Sequence, residues 1–283
     1  MFLDYGTVDA HVHLWDTVPP FDKRPNHFGV HGRPAEFLEA CGKVKVDKIV
    51  HMEFGRNIDN YMAEIELMDK LAEENDKLVA MVAWAPLSLG HDGAARALDE
   101  IVKHKLVKGI RQAHFSDPDG MAYTTKEMIE GVKLLPQYGL SFAVGTDFHQ
   151  NPGVEIFLNE VGDDVPMVLD HMGKPPVQTK QFDEWAAYIE KFAKHKNLSI
   201  KLSSIATEAA DKNWDIEDIA PYVRFSVEAF GWDRVMYASD WPVSTRNSNP
   251  ERQMETLLTI FKDATPEQLH KLFVDNTSKL YNI

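Results

Sequence analysis

Eight short runs rich in β-branched and aliphatic residues recur along this 283-residue chain, roughly 30 residues apart. They occupy residues 7–13, 47–51, 78–84, 107–111, 140–145, 166–171, 198–202 and 234–239. Between them lie segments of helical period, such as Tyr61, Ile65, Met68 and Leu71, then Ala94, Leu98, Ile101 and Val102, then Phe182, Trp185, Ile189 and Phe192. Helix starts are marked as well. Asn249-Pro250-Glu251 reads as a cap, an N1 proline and a dipole-matched carboxylate, and Thr265-Pro266-Glu267-Gln268 adds a capping-box glutamine. Strand and helix alternating eight times predict an α/β chain folded as a (β/α)8 TIM barrel, with residues 1–283 forming one domain. A doubly wound sheet fits less well, because no strand is followed by a nucleotide-binding glycine fingerprint.

Composition narrows the partners. Lys and Arg number 30 against 44 Asp and Glu, a formal charge of −14, and that field repels a phosphate backbone. No nucleic acid partner is expected. The single cysteine, Cys41, has no intrachain mate and reads as structural. The first residues carry no basic segment followed by an apolar one, and no run approaches the ~18 uncharged apolar residues of a membrane span, so a soluble cytoplasmic protein with no membrane partner is expected. Oligomeric state is left open, a homo-oligomer included. Residues 16–33 break both periods with prolines and glycines; following strand 1, they are a candidate lid over the barrel's C-terminal face.

The chemistry gathers at strand ends. His11-Val12-His13 closes the first run, and a period of two aims both imidazoles, with Asp9 behind them, to one side of the strand. Two neutral imidazoles converging on one point can hold a divalent metal. Alone, the pair reads more readily as two surface histidines at a strand end. Later runs add Glu53 after strand 2, Arg111-Gln112 at strand 4, Asp147 and His149 after strand 5, Asp170-His171 at strand 6, Lys201 and Ser203 on strand 7, and Ser239-Asp240 at strand 8. In a barrel all these ends crowd one pocket, and that convergence is poorly explained by solvated loop charges. Serine or cysteine nucleophile chemistry is disfavoured, since there is no G-x-S-x-G elbow and Cys41 has no histidine near it in sequence.

These segments resemble the amidohydrolase superfamily, and within it the amidohydrolase-2 branch of metal-dependent hydrolases that includes sugar lactonases and pyrone-dicarboxylate lactonases. The resemblance is carried by Val8-Asp-Ala-His-Val-His-Leu-Trp15, Gly109-Ile-Arg-Gln112, Val168-Leu-Asp-His-Met-Gly-Lys-Pro175, Ile200-Lys-Leu-Ser203, Val235-Met-Tyr-Ala-Ser-Asp-Trp-Pro242 and Asn276-Thr-Ser-Lys-Leu-Tyr281. It implies that His11 and His13 are the first-strand metal pair, that Asp240 takes a proton from the attacking water and shares the metal, and that His171 lies near the substrate. His149 falls just past strand 5, where the family has a further ligand. The wider superfamily bridges two metals with a lysine or glutamate on strand 4; here Arg111 stands there, and a guanidinium cannot be a ligand. One divalent ion is therefore expected, zinc being a candidate, or none, as in lactonases of the branch that keep the histidines without a metal.

The implied reaction is hydrolysis of a lactone of a sugar acid or a small carboxylated ring. Arg111, Lys174 and Lys201 offer positive charge to a polar or carboxylate-bearing small molecule, and Trp241 can stack on a sugar face or pack in the core. A metal-dependent non-oxidative decarboxylase acting on a small aromatic or muconate-type acid would need the same groups. A non-catalytic binding barrel is the third reading, and the number of independent polar strand ends weighs against it.

Overall fold

The computed structural model describes residues 2–16, 31–54, 58–209 and 212–283. Eight parallel strands follow one another in chain order: β1 (Thr7–Val12), β2 (Val46–Met52), β3 (Leu78–Ala83), β4 (Val107–Ile110), β5 (Ser141–Val144), β6 (Met167–Leu169), β7 (Leu198–Leu202) and β8 (Val235–Tyr237). Each falls within or beside one of the eight predicted runs. The helices are α1 (Pro34–Ala40), α2 (Tyr61–Glu74), α3 (Gly90–Ile101), α4 (Lys126–Lys133), α5 (Asn151–Val161), α6 (Phe182–Phe192), α7 (Ile216–Phe230), α8 (Pro250–Ile260), α9 (Pro266–His270) and α10 (Asn276–Tyr281). The architecture is a (β/α)8 barrel. The expected lid falls mostly on residues 17–30, outside the described residues; its flanks are joined by an Arg33 to Asp16 ion pair of 2.7 Å and by Trp15 N–H donating to Gly32 O. No described helix is long and apolar enough to cross a membrane.

Two apolar layers follow from the strand period. Phe37, Ile49, Met68, Leu98, Phe142, Trp185 and their neighbours form the layer between strands and helices. A smaller cluster of Val8, Ala10, Val50, Met52, Ala80, Val82, Ala143, Val168, Met236 and Ala238 fills the barrel interior, with Tyr281 from α10 completing it. Small side chains inside leave room for polar groups at the strands' C-terminal ends.

Helix contacts then fix those ends. The apolar stripe of α6 buries Trp185, whose indole N–H reaches Met172 O at 2.8 Å and holds the turn after β6. Asn249 caps α8 by accepting from Arg252 N–H, and Gln253 of that helix donates to Ser239 O at the end of β8. Thr265 and Gln268 form the expected capping box on α9. Cys41 is buried at the end of α1, and burial pushes its thiol above the usual range.

One local departure matters for the site. Asp9 pairs with Ile49 and Val12 with His51, so β1 spends three residues where β2 spends two. Ala10 consequently packs inside the barrel and Val12 outside it, although they are two residues apart. The bulge at His11 swaps faces, and it separates Asp9 from the histidines with which plain alternation would group it.

Candidate active site

Strand ends bring His11, His13, His171 and Asp240 together. His11 Nε2 and His13 Nε2 are 3.2 Å apart, and each lies 3.4 Å from Asp240 Oδ1. His171 Nε2 is 3.9 Å from the same oxygen. Asp240 Oδ1 is buried and has no hydrogen-bond donor, while Ser204 Oγ–H donates to Oδ2 at 2.6 Å. His13 Nδ1–H donates to Met52 O, since a carbonyl can only accept, and this leaves Nε2 with its lone pair towards Asp240.

Those three atoms fit a divalent ion. A tetrahedral zinc with ligand bonds of about 2.0–2.2 Å separates its ligand atoms by roughly 3.3–3.6 Å, close to the observed triangle. The donor set also has suitable charge states. Burial drives His11 well below the ordinary imidazole range and His171 down to about 4, keeping both neutral at pH 7. Burial alone would raise the Asp240 carboxyl, but the neighbouring imidazoles of His171, His13 and His11 outweigh it and hold it below the usual range. A second possible group, His11, Asp170 and His171, shares His11 with the first. Its carboxylate is already engaged by two cations, so the first group is the better centre.

Behind this triangle lies a buried chain of opposite charges. Asp170 Oδ1 is 2.9 Å from Lys201 Nζ and Oδ2 is 3.0 Å from Arg111 Nη1; Arg111 Nε donates to Glu53 Oε1 at 2.8 Å. Burial opposes every charge here, but Lys201 and Arg111 hold Asp170 well below the usual carboxylate range, and Glu53 and Asp170 raise Arg111. His11 Nδ1 touches this chain, 3.4 Å from Lys201 Nζ and 3.5 Å from Asp170 Oδ1. On the other side of the bulge, burial pushes the Asp9 carboxyl up to about 6 despite hydrogen bonds from Ser239 and His11.

The remaining sequence candidates are placed differently. Arg111 and Lys201 point their charge at Glu53 and Asp170 inside the barrel. Trp241 is buried, stacked on Trp15 at 6.3 Å between centroids and packed against Phe37. Lys174 is partly exposed, paired with Asp147 and lying over the Phe115 ring at 4.4 Å. His149 is not brought to the cluster: β5 ends at Val144, Asp147 caps a short turn, and that turn carries His149 to the exposed side. Glu53 faces Arg111. Ser204, which holds Asp240, escaped the sequence reading; its signal was the serine pair directly after β7.

The profile of the family described as amidohydrolase matches residues 8–283. The chain belongs to the amidohydrolase family. It is accordingly a hydrolase. This amidohydrolase is 27% identical over 195 residues to an L-fucono-1,5-lactonase of Burkholderia multivorans, covering 64% of this chain and 63% of that one. It is 22% identical over 335 residues to an L-rhamnono-gamma-lactonase of Scheffersomyces stipitis, covering 99% of each. Among solved structures, an amidohydrolase from Burkholderia multivorans with bound zinc superposes with a TM-score of 0.83 at 20% identity, over 99% of this chain and 100% of that one.

Proposed function

We propose that this amidohydrolase opens a lactone of a sugar acid or small carboxylated ring, with Asp240 as the base that takes a proton from water. The observation that carries the reading is the buried Asp240 Oδ1, without a donor, faced by His11, His13 and His171. The names of the fucono- and rhamnono-lactonase relatives support the lactone class. One divalent ion, zinc fitting best, would be held by His11, His13 and Asp240, where it would polarise the lactone carbonyl and acidify water.

The chain's own groups have separable tasks. Asp240 accepts a proton as the water oxygen bonds to the carbonyl carbon, then returns it to the ring oxygen as the carbon–oxygen bond breaks, leaving a hydroxy acid. Ser204, donating to Oδ2, fixes the plane in which the Asp240 carboxylate meets the water. His171, fixed through Nδ1 by Ser203 Oγ at 2.8 Å, presents Nε2 towards the reacting centre. Lys174 is the partly exposed cation that would meet a substrate carboxylate.

The test is a panel of aldonic and dicarboxylate lactones, followed by proton release on protein of measured metal content, with carbon dioxide assayed in parallel on aromatic and muconate-type acids. Proton release from at least one lactone is expected. Failure on every lactone, with carbon dioxide released from an acid, would overturn the reading in favour of a decarboxylase.

A further inference from the structure

The barrel closes in an unusual way. Each neighbouring pair from β1–β2 to β7–β8 is joined by a run of paired residues, but among the described residues β8 meets β1 through a single bridge, Val12 with Trp241. Two main-chain bonds flank it, Asp240 N–H to His11 O at 2.9 Å and His13 N–H to Trp241 O at 2.8 Å. Just upstream, where a ladder would continue, Ser239 N–H donates to a side chain: Asp9 Oδ1, at 2.9 Å. The same oxygen accepts from His11 N–H at 3.1 Å, at the bulge. One buried oxygen thus joins the residue before Asp240 to the first metal-triangle histidine.

We infer that Asp9 is a positioning residue, whose Oδ1 clamps the β1–β8 seam and holds the bulge that turns His11 and His13 inward beside Asp240. Without that acceptor two buried N–H groups lose their partner, and such groups seldom stay unpaired. Pairing them by restoring plain alternation would remove the extra residue in β1. Ala10 and Val12 would then share a face, and His11 and His13 would turn to the other one, because a one-residue shift reverses every side chain beyond it. Asp9 Oδ2 has no hydrogen-bond partner, so the clamp needs an acceptor at Oδ1 and makes no use of the second oxygen.

The metal-binding part of the test rests on the reading above, so it is paired with one that does not. Asp9→Val removes the acceptor, Asp9→Glu keeps the charge but displaces the oxygen, and Asp9→Asn keeps the oxygen without the charge. Amide hydrogen exchange on metal-free protein reports the clamp directly: His11 and Ser239 should lose protection in Asp9→Val and Asp9→Glu and keep it in Asp9→Asn. Cobalt(II) titration reports the triangle. Affinity should fall about 10- to 100-fold in the first two variants, with altered visible absorption, and stay within about threefold in Asp9→Asn, the scale typical of groups that orient ligands. Wild-type cobalt binding in Asp9→Glu, or damage in Asp9→Asn equal to that in Asp9→Glu, overturns the inference. If Asp9→Val does not fold, the other two variants decide. Should the wild type bind no cobalt, the metal reading fails, and the exchange pattern alone upholds or sinks the role of Asp9.

Discussion

Replacing Asp170 with asparagine removes one charge from the barrel interior while leaving its shape almost unchanged. Asp170 bridges Lys201 at 2.9 Å and Arg111 at 3.0 Å, and none of the three side chains is more than 1% exposed. After the change Arg111 keeps Glu53, but the Lys201 ammonium loses its carboxylate and faces the neutral groups His11 Nδ1, at 3.4 Å, and Tyr281. Breaking a buried pair from one side costs about 3–5 kcal/mol, because the surviving buried charge has lost its countercharge. For a chain of 283 residues the unfolding entropy is about 0.6 kcal/mol/K, so the melting temperature should drop by about 5–8 °C. The assay is urea and thermal unfolding of metal-stripped protein, because a bound ion would stabilise both proteins by mass action. Lys201→Met completes a double-mutant cycle. It leaves Asp170 paired with Arg111, and the double variant removes both charges of the broken pair. Its loss should therefore be smaller than the sum of the singles by at least ~1.5 kcal/mol. A folded Asp170→Asn protein within about 1 kcal/mol of wild type, or strict additivity in the cycle, would refute the view that these charges depend on one another.

Three further outcomes are expected. Asp240→Asn should lower kcat by at least ~100-fold with little change in affinity, and more than about a tenth of wild-type kcat on the true substrate would mean another group activates the water. Elemental analysis after extensive dialysis should find no more than one divalent ion per chain, since the two possible ligand groups among the described residues share His11 and β4 is followed by Arg111 rather than by a bridging anion; two equivalents would contradict this. Burial holds His114 below its ordinary value of 6.5, so as pH falls through that value the unfolded chain takes up a proton sooner than the folded one, and stability is lost. His114→Phe should flatten that part of the curve, measured as urea midpoints between pH 5 and 8, and an unchanged slope would count against it.

The strands were legible because barrel strands buried on both sides read as short aliphatic runs, and the caps at Asn249 and Thr265 because capping depends on adjacent residues. Convergence of His11, His13, His171 and Asp240 followed from strand ends alone. The bulge did not. Ala10 and Val12 are both small and apolar, so nothing in their chemistry says that they face opposite ways. Pairing was equally hidden: the sequence shows Arg111 and Lys201 as available cations, and only three-dimensional proximity assigns them to Glu53 and Asp170. His149 lies beyond the end of β5 at Val144, and the short turn capped by Asp147, which strand pattern does not reveal, carries it away from the cluster.

Three groups around the reacting centre sit on left-handed backbone, His171 at φ 54°, Ser204 at φ 51° and Asp240 at φ 55°. Glycine adopts that conformation without the side-chain clash, which costs other residues on the order of 1 kcal/mol at each position. Backbone strain considered alone would therefore favour erasing the groups proposed to do the chemistry. A stabilisation campaign scored only by melting temperature should enrich glycine at positions 171, 204 and 240 and deliver a sturdier, inert barrel.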